Sequence, residues 1–230
     1  EDRLIDIVRD LVRIDTTNPP GNEVEAARYL ADLLSPVGID TEIIEPHPGR
    51  GNLVARLRGT GEKKPLVLMG HLDVVAANPS DWSYPPFAAE IHDGFIWGRG
   101  STDMKDMIGI SAVIMLALAR LGQPLKRDVV MMATADEEQG GDWGMGWLVQ
   151  HRPELFDVAC AINEGGGSSL QVGDNLFYTC QSAEKGVCRT VWTARGKGGH
   201  GSHPRRDIAT LQLIRALNKI GDGYLEARVI

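Results

Sequence analysis

The sequence has little of several things that would mark a function. Its 230 residues contain only three cysteines, Cys160, Cys180 and Cys188, and these form no CxxC or zinc-ribbon spacing. Cys160 lies in the apolar run DVACAI and is expected in the core; nothing in the spacing supports a bridge between the other two. No apolar run approaches the roughly 18 residues needed to span a bilayer. The longest, IGISAVIMLALA, reads as a buried helix. Basic residues are outnumbered, with Lys+Arg 24 against Asp+Glu 31 and a net charge of -7. Without a basic stripe to replace phosphate counterions, a nucleic-acid partner is excluded. Internal repeats and low-complexity segments are absent.

What remains is the composition of a globular α/β protein, 43% hydrophobic and 24% charged. The length suffices for one substantial domain, or for one domain and part of another. Apolar residues Leu4, Ile7, Val8, Leu11 and Val12 predict a helix over 4–14, which the loop TTNPPGNE stops. A second helix is predicted over 23–37, ending at Gly38, followed by strands over 41–44 and 52–58. Buried strands then alternate with helices: PLVLMG, a helix over 105–121, DVVMMAT, a short helix over 143–150, and DVACAIN. Continuous apolar strands separated by helices imply a mostly parallel sheet sandwiched by helices, with ligands gathering beyond the carboxyl ends of the strands.

After residue 184 the pattern shifts. A strand is predicted over 187–194, a glycine-rich turn at GKGGHGSHP, a helix over 207–220 and the start of a strand over 225–230. These few elements cannot bury a core alone. The expected organisation is therefore a first domain over 1–184 and the beginning of a second, truncated one over 185–230.

Chemistry is concentrated at the ends of the buried strands. PLVLMG ends in His71, and the two-residue period puts Asp73 on the same side, where a carboxylate can orient an imidazole. Asp103 follows the glycine turn of GFIWGRGSTDMKD, immediately before the long helix; as an isolated residue it would read as a helix cap. GRGSTD lacks both the last glycine of GxGxxG and the lysine of a phosphate-binding loop. DVVMMAT runs into Asp136, Glu137 and Glu138, three adjacent acids that repel unless a cation neutralises them. DVACAIN delivers Glu164 into a run of three glycines, which lets the backbone approach closely. All these placements fall on one edge of the predicted sheet. One histidine with several carboxylates suits zinc, and a carboxylate such as Asp103 can bridge two ions.

HLDVV, WGRGSTDMK, ADEE, NEGG and GKGGHGSHP stand in the order seen in one family. Through them nearly the whole chain resembles the glutamate carboxypeptidase, aminoacylase and acetylornithine deacetylase family of dinuclear zinc amidohydrolases. The resemblance implies two Zn2+ ions, with Co2+ or Mn2+ as substitutes. It implies that His71, Asp103 and Glu164 hold the first ion, Asp103 bridges, and Glu138 binds the second. Glu137 would be the general base, Asp73 the clamp on the His71 ring, and His200 an oxyanion donor supplied by the neighbouring subunit. His203 is its competitor. The substrate would be a small peptide or N-acyl amino acid, cut beside its free carboxylate.

Deacylation of an N-acetylornithine or N-succinyl-diaminopimelate type substrate is the alternative within the enzyme class, and a non-catalytic metal-binding relative is the alternative outside it. A homodimer through the second domain and a cytoplasmic setting are also expected; the start at Glu1 without methionine leaves a removed signal peptide open. The family's last ligand to the second zinc lies near the end of its full-length members. His47, His92, His151 and His203 stand in no matching context. The resemblance thus implies that this chain alone turns over little substrate. In NPSDWSYPPF, the residues Trp82, Tyr84 and Phe87 are read as pocket lining or as anchors of the loop.

Overall fold

The computed structural model describes residues 2–165, 168–179, 190–200, 202–203, 205–221 and 223. The chain divides into two compact units, Glu1–Thr179 and Cys180–Ile230.

Helix α1 spans Asp2–Arg13 and buries Ile7, Val8, Leu11 and Val12 along one face. Helix α2 spans Glu23–Leu34, and a short 3-10 turn, Ser35–Val37, carries it to Gly38, whose φ of 83° is the left-handed stop the sequence predicts. Strands β1 (Asp40–Ile44), β2 (Asn52–Leu57) and β3 (Leu66–His71) follow. A small hairpin is formed by β4 (Glu90–His92) and β5 (Phe95–Trp97). Helix α3 occupies Lys105–Leu121 and stops at Gly122. Then come β6 (Val129–Thr134), helix α4 (Met145–His151), β7 (Cys160–Ile162) and a second hairpin of β8 (Ser169–Val172) and β9 (Asn175–Tyr178).

Five strands join in one sheet in the order β1-β2-β6-β3-β7. The side carrying β6, β3 and β7 is parallel, as the alternation of strands and helices requires. Pairings of β1 with β2 and of β2 with β6 are antiparallel. Helices cover both faces, and β6 shows how its pleat serves them. Val129, Met131 and Ala133 pack with α1, α2 and α3, whereas Val130 and Met132 pack with Leu148 of α4 and with Leu155. Full burial of each such Leu or Met contributes roughly 1.5–3 kcal/mol.

One expectation is corrected and two open readings are decided. Cys160 and the rest of β7 are exposed, and among the described residues β7 is the edge strand of the sheet, paired with β3 alone. Asp103 does not cap α3, whose first flanking residue is Met104 and which has no side-chain cap. Trp82 and Tyr84 anchor their loop: Tyr84 stacks on His92 with ring centroids 3.6 Å apart, and the Arg99 guanidinium lies over Trp82. Among the described residues no helix is long and apolar enough to cross a membrane.

In the second unit, α5 spans Ala209–Gly221. Residues 190–194, in the predicted strand, carry no regular structure, as no described strand lies beside them to pair with. Cys180, Cys188, the residue 184 boundary, 187–189 and the strand predicted over 225–230 lie outside the described residues.

Candidate metal centre

Parallel strands β3 and β6 end side by side, with His71 paired to Thr134, so their outgoing loops rise from the same edge. His71 is 2% exposed and its ring is fixed at Nδ1. The partner there is the main-chain oxygen of Asp73 at 2.9 Å; the Asp73 carboxylate stands farther off, at 3.5 Å. Its Nε2 is turned outward. Asp103 Oδ1 lies 3.1 Å from it, Glu164 Oε1 3.6 Å and Glu137 Oε2 3.8 Å. Two overlapping groups result, His71 with Glu137 and Glu164, and His71 with Asp103 and Glu138. Within each, the candidate ligand atoms all lie within 4.8 Å of one another. The predicted residues 71, 103, 137, 138 and 164, far apart in sequence, therefore meet.

Asp73 does more than clamp a ring. It is wholly buried, and its two oxygens accept the consecutive main-chain N–H groups of Glu137 at 3.0 Å and Glu138 at 3.1 Å. Asn18 Nδ2 donates to it as well, at 2.8 Å. Burial alone would raise the Asp73 pKa, but His71, Asn18 and the Glu138 N–H together hold it below the usual carboxylate value. Burial likewise opposes the charged form of His71. The Asp73 hydrogen bond and the charges of Asp73 and Glu164 override it and push that ring up to about 9.

The donor set fits a divalent cation. Among the described residues four carboxylates gather around one imidazole, and the Glu138 pKa is raised by burial and by the charge of Asp103, with His71 offsetting. An imidazole nitrogen with carboxylate oxygens is a ligand set for zinc and its neighbours. Beside the cluster lies a cavity of about 270 Å³, lined by Met69, Thr134, Gly141, Met145, Asn163 and Glu164 among others. Trp82, Tyr84 and Phe87 do not line it.

Asp136 departs from the reading of three clustered acids. It turns inward, where Arg50, Asn18 and the Trp143 N–H occupy its carboxylate. Asn18, Glu23, Arg50 and Asn52 were not singled out from the sequence. They act across separations of up to 118 residues, and no local pattern announces them. His200 belongs to the second unit and is exposed, with Nδ1 2.7 Å from Ser202 Oγ.

The chain is similar to known proteins over much of its length. Residues 67–221 match peptidase family M20/M25/M40. A probable succinyl-diaminopimelate desuccinylase of Staphylococcus epidermidis is 34% identical over 201 residues, 87% of this chain and 46% of that protein. Among solved structures, a metallo-carboxypeptidase from Sulfolobus solfataricus superposes with a TM-score of 0.64 at 22% identity, covering 73% of this chain and 38% of that one. A dinuclear metal-binding peptidase from Bacillus subtilis gives 0.52 at 22% identity, over 70% and 42%. These two likenesses are of fold. The chain spans about half the length of the curated relatives it matches.

Proposed function

The chain belongs to peptidase family M20/M25/M40, and from that premise we propose that the whole protein is a metal-dependent hydrolase of amide bonds beside a free carboxylate. Its substrate is a dipeptide, a short peptide or an N-acyl amino acid. The observation that carries this reading is the convergence of Asp103, Glu137 and Glu164 on the outward nitrogen of a buried, fixed histidine, with Glu138 within ligand reach of the same ring. His71, Asp103 and Glu164 would hold one divalent ion, and Glu138, with Asp103 shared, a second; Zn2+ is the first choice and Co2+ or Mn2+ substitute. When bound, such ions supply Lewis acidity at the amide carbonyl and ease ionisation of water.

The protein's own groups do the rest. Glu137 projects into the same space with its side chain 55% exposed, so it can take a proton from attacking water and return it to the leaving nitrogen. Asp73 fixes both that carboxylate, through its main-chain N–H, and the His71 ring. His200 donates a hydrogen bond to the developing oxyanion, from the second unit of a partner subunit in a homodimer.

A second reading narrows the first to removal of a succinyl group from a diamino acid, and the names of the curated relatives favour it. The test is a panel of N-succinyl diamino acids, other N-acyl amino acids and dipeptides, assayed on the intact protein with and without chelator. Hydrolysis of at least one class, lost with chelator and restored by Zn2+ or Co2+, is expected. Hydrolysis indifferent to chelation, or none in a metal-loaded protein, would overturn the reading.

A further inference from the structure

The loop that carries Glu137 and Glu138 is held from behind by a buried network that takes no part in ligation. Asp136 adopts φ 70°, a left-handed conformation uncommon outside glycine, and is 4% exposed. Four contacts pin it. Its Oδ1 accepts from Arg50 Nη2 at 2.9 Å and Asn18 Nδ2 at 3.0 Å; its Oδ2 accepts the Trp143 N–H at 3.0 Å; its own N–H donates to Glu23 Oε1 at 3.2 Å. Arg50 is in turn gripped by both oxygens of Glu23, at 2.9 and 2.6 Å. Asn52 holds the loop at two more points, accepting from the Ala135 N–H and donating to the Trp143 oxygen.

The geometry points to Asp136 as a positioning residue for the metal centre, with Arg50 and Asn18 as its anchors. The left-handed turn at Asp136 aims the next two N–H groups at the two oxygens of Asp73, and the same turn carries the Glu137 and Glu138 side chains toward His71. Asn18 Nδ2 bridges Asp73 and Asp136, so the support of the histidine and the support of the acidic pair are one hydrogen-bonded body. A merely structural loop lock would stabilise the fold and leave ligand geometry indifferent to it. Here the lock ends on the two residues that carry the chemistry.

This inference rests on the proposed metal site, and its test separates the two. Asp136→Gly keeps the left-handed conformation accessible while removing every side-chain acceptor; Arg50→Lys keeps the charge opposite Glu23 but cannot fork to two carboxylates. Each is made in the intact protein, checked for folding by circular dichroism, and titrated with Co2+ by visible absorption and calorimetry. The expected result is Co2+ affinity weakened at least tenfold with a changed absorption band, and kcat lowered at least tenfold with KM within twofold. Either variant folding with wild-type Co2+ affinity, spectrum and kcat overturns the inference. Should Asp136→Gly not fold, Arg50→Lys carries the same test. A wild-type protein that binds no Co2+ would refute the metal site itself, before any variant is compared.

Discussion

The carboxylates near His71 fall into two populations. Glu23, Asp73 and Asp136 are buried, and each accepts hydrogen bonds from fixed donors: Arg50, Asn18 or main-chain N–H groups. Asp103, Glu137 and Glu164 have side chains 65%, 55% and 34% exposed and converge on a single imidazole nitrogen. In the first population every charge is matched by donors already in place, as a buried ion requires. In the second, among the described residues, the acids gather around one imidazole within ligand distance of one another, an arrangement that a metal ion would suit. Buried acids build the frame, and outward ones make the site.

Removing one member from each population sharpens that contrast. Glu137→Gln in the intact protein should lower kcat by about 10²–10⁴-fold while metal content by elemental analysis stays at the wild-type value. Unchanged turnover would move Glu137 out of the catalytic role. Glu23→Ala should leave Arg50 buried against Asp136 alone and cost about 3–5 kcal/mol in urea unfolding. Asp103→Ala, measured without metal, should stay within about 0.5 kcal/mol of wild type. Equal losses for these two would erase the distinction drawn here.

Lys105 offers a third case, a buried cation whose hydrogen bonds among the described residues go to neutral partners, the main-chain oxygens of Leu11 and Ile14 at 2.9 and 2.8 Å. Burial lowers its pKa to about 8, with Asp15, Asp73 and Glu23 pulling the other way. Unfolded, the lysine keeps its proton up to its ordinary value of 10.5. Between those limits the unfolded state binds more protons, so stability rises with pH across that window. The gain should be about 1–3 kcal/mol and should vanish in Lys105→Met. A slope identical in both proteins would show that Lys105 is not the group responsible.

Much of this was legible in the sequence. Long periodic segments gave the helices, α3 to its end residues, and apolar runs gave β3 and β6. The residues gathered around His71 were readable because strand ends in such sheets share an edge. Both hairpins were overlooked although each carries a two-residue turn signal, Asp93-Gly94 and Gly173-Asp174, with positive φ at Asp93, Gly94 and Gly173. Cys160 misled because an apolar strand reads alike at an edge and at the centre of a sheet. The frame of Asn18, Glu23, Arg50 and Asn52 was illegible for a different reason: hydrogen bonds between distant polar side chains leave no period. Gly144 is equally silent until its surroundings are seen, where a Cβ would stand 1.7 Å from the Ala135 oxygen and force the acidic loop apart.

The most direct measurement is anomalous diffraction from crystals of the intact protein soaked in Zn2+ or Co2+, collected at the metal's absorption edge. The account predicts two peaks, one within bonding distance of His71 Nε2 and both in contact with Asp103. Peaks that avoid His71, or none at saturating metal, would contradict it.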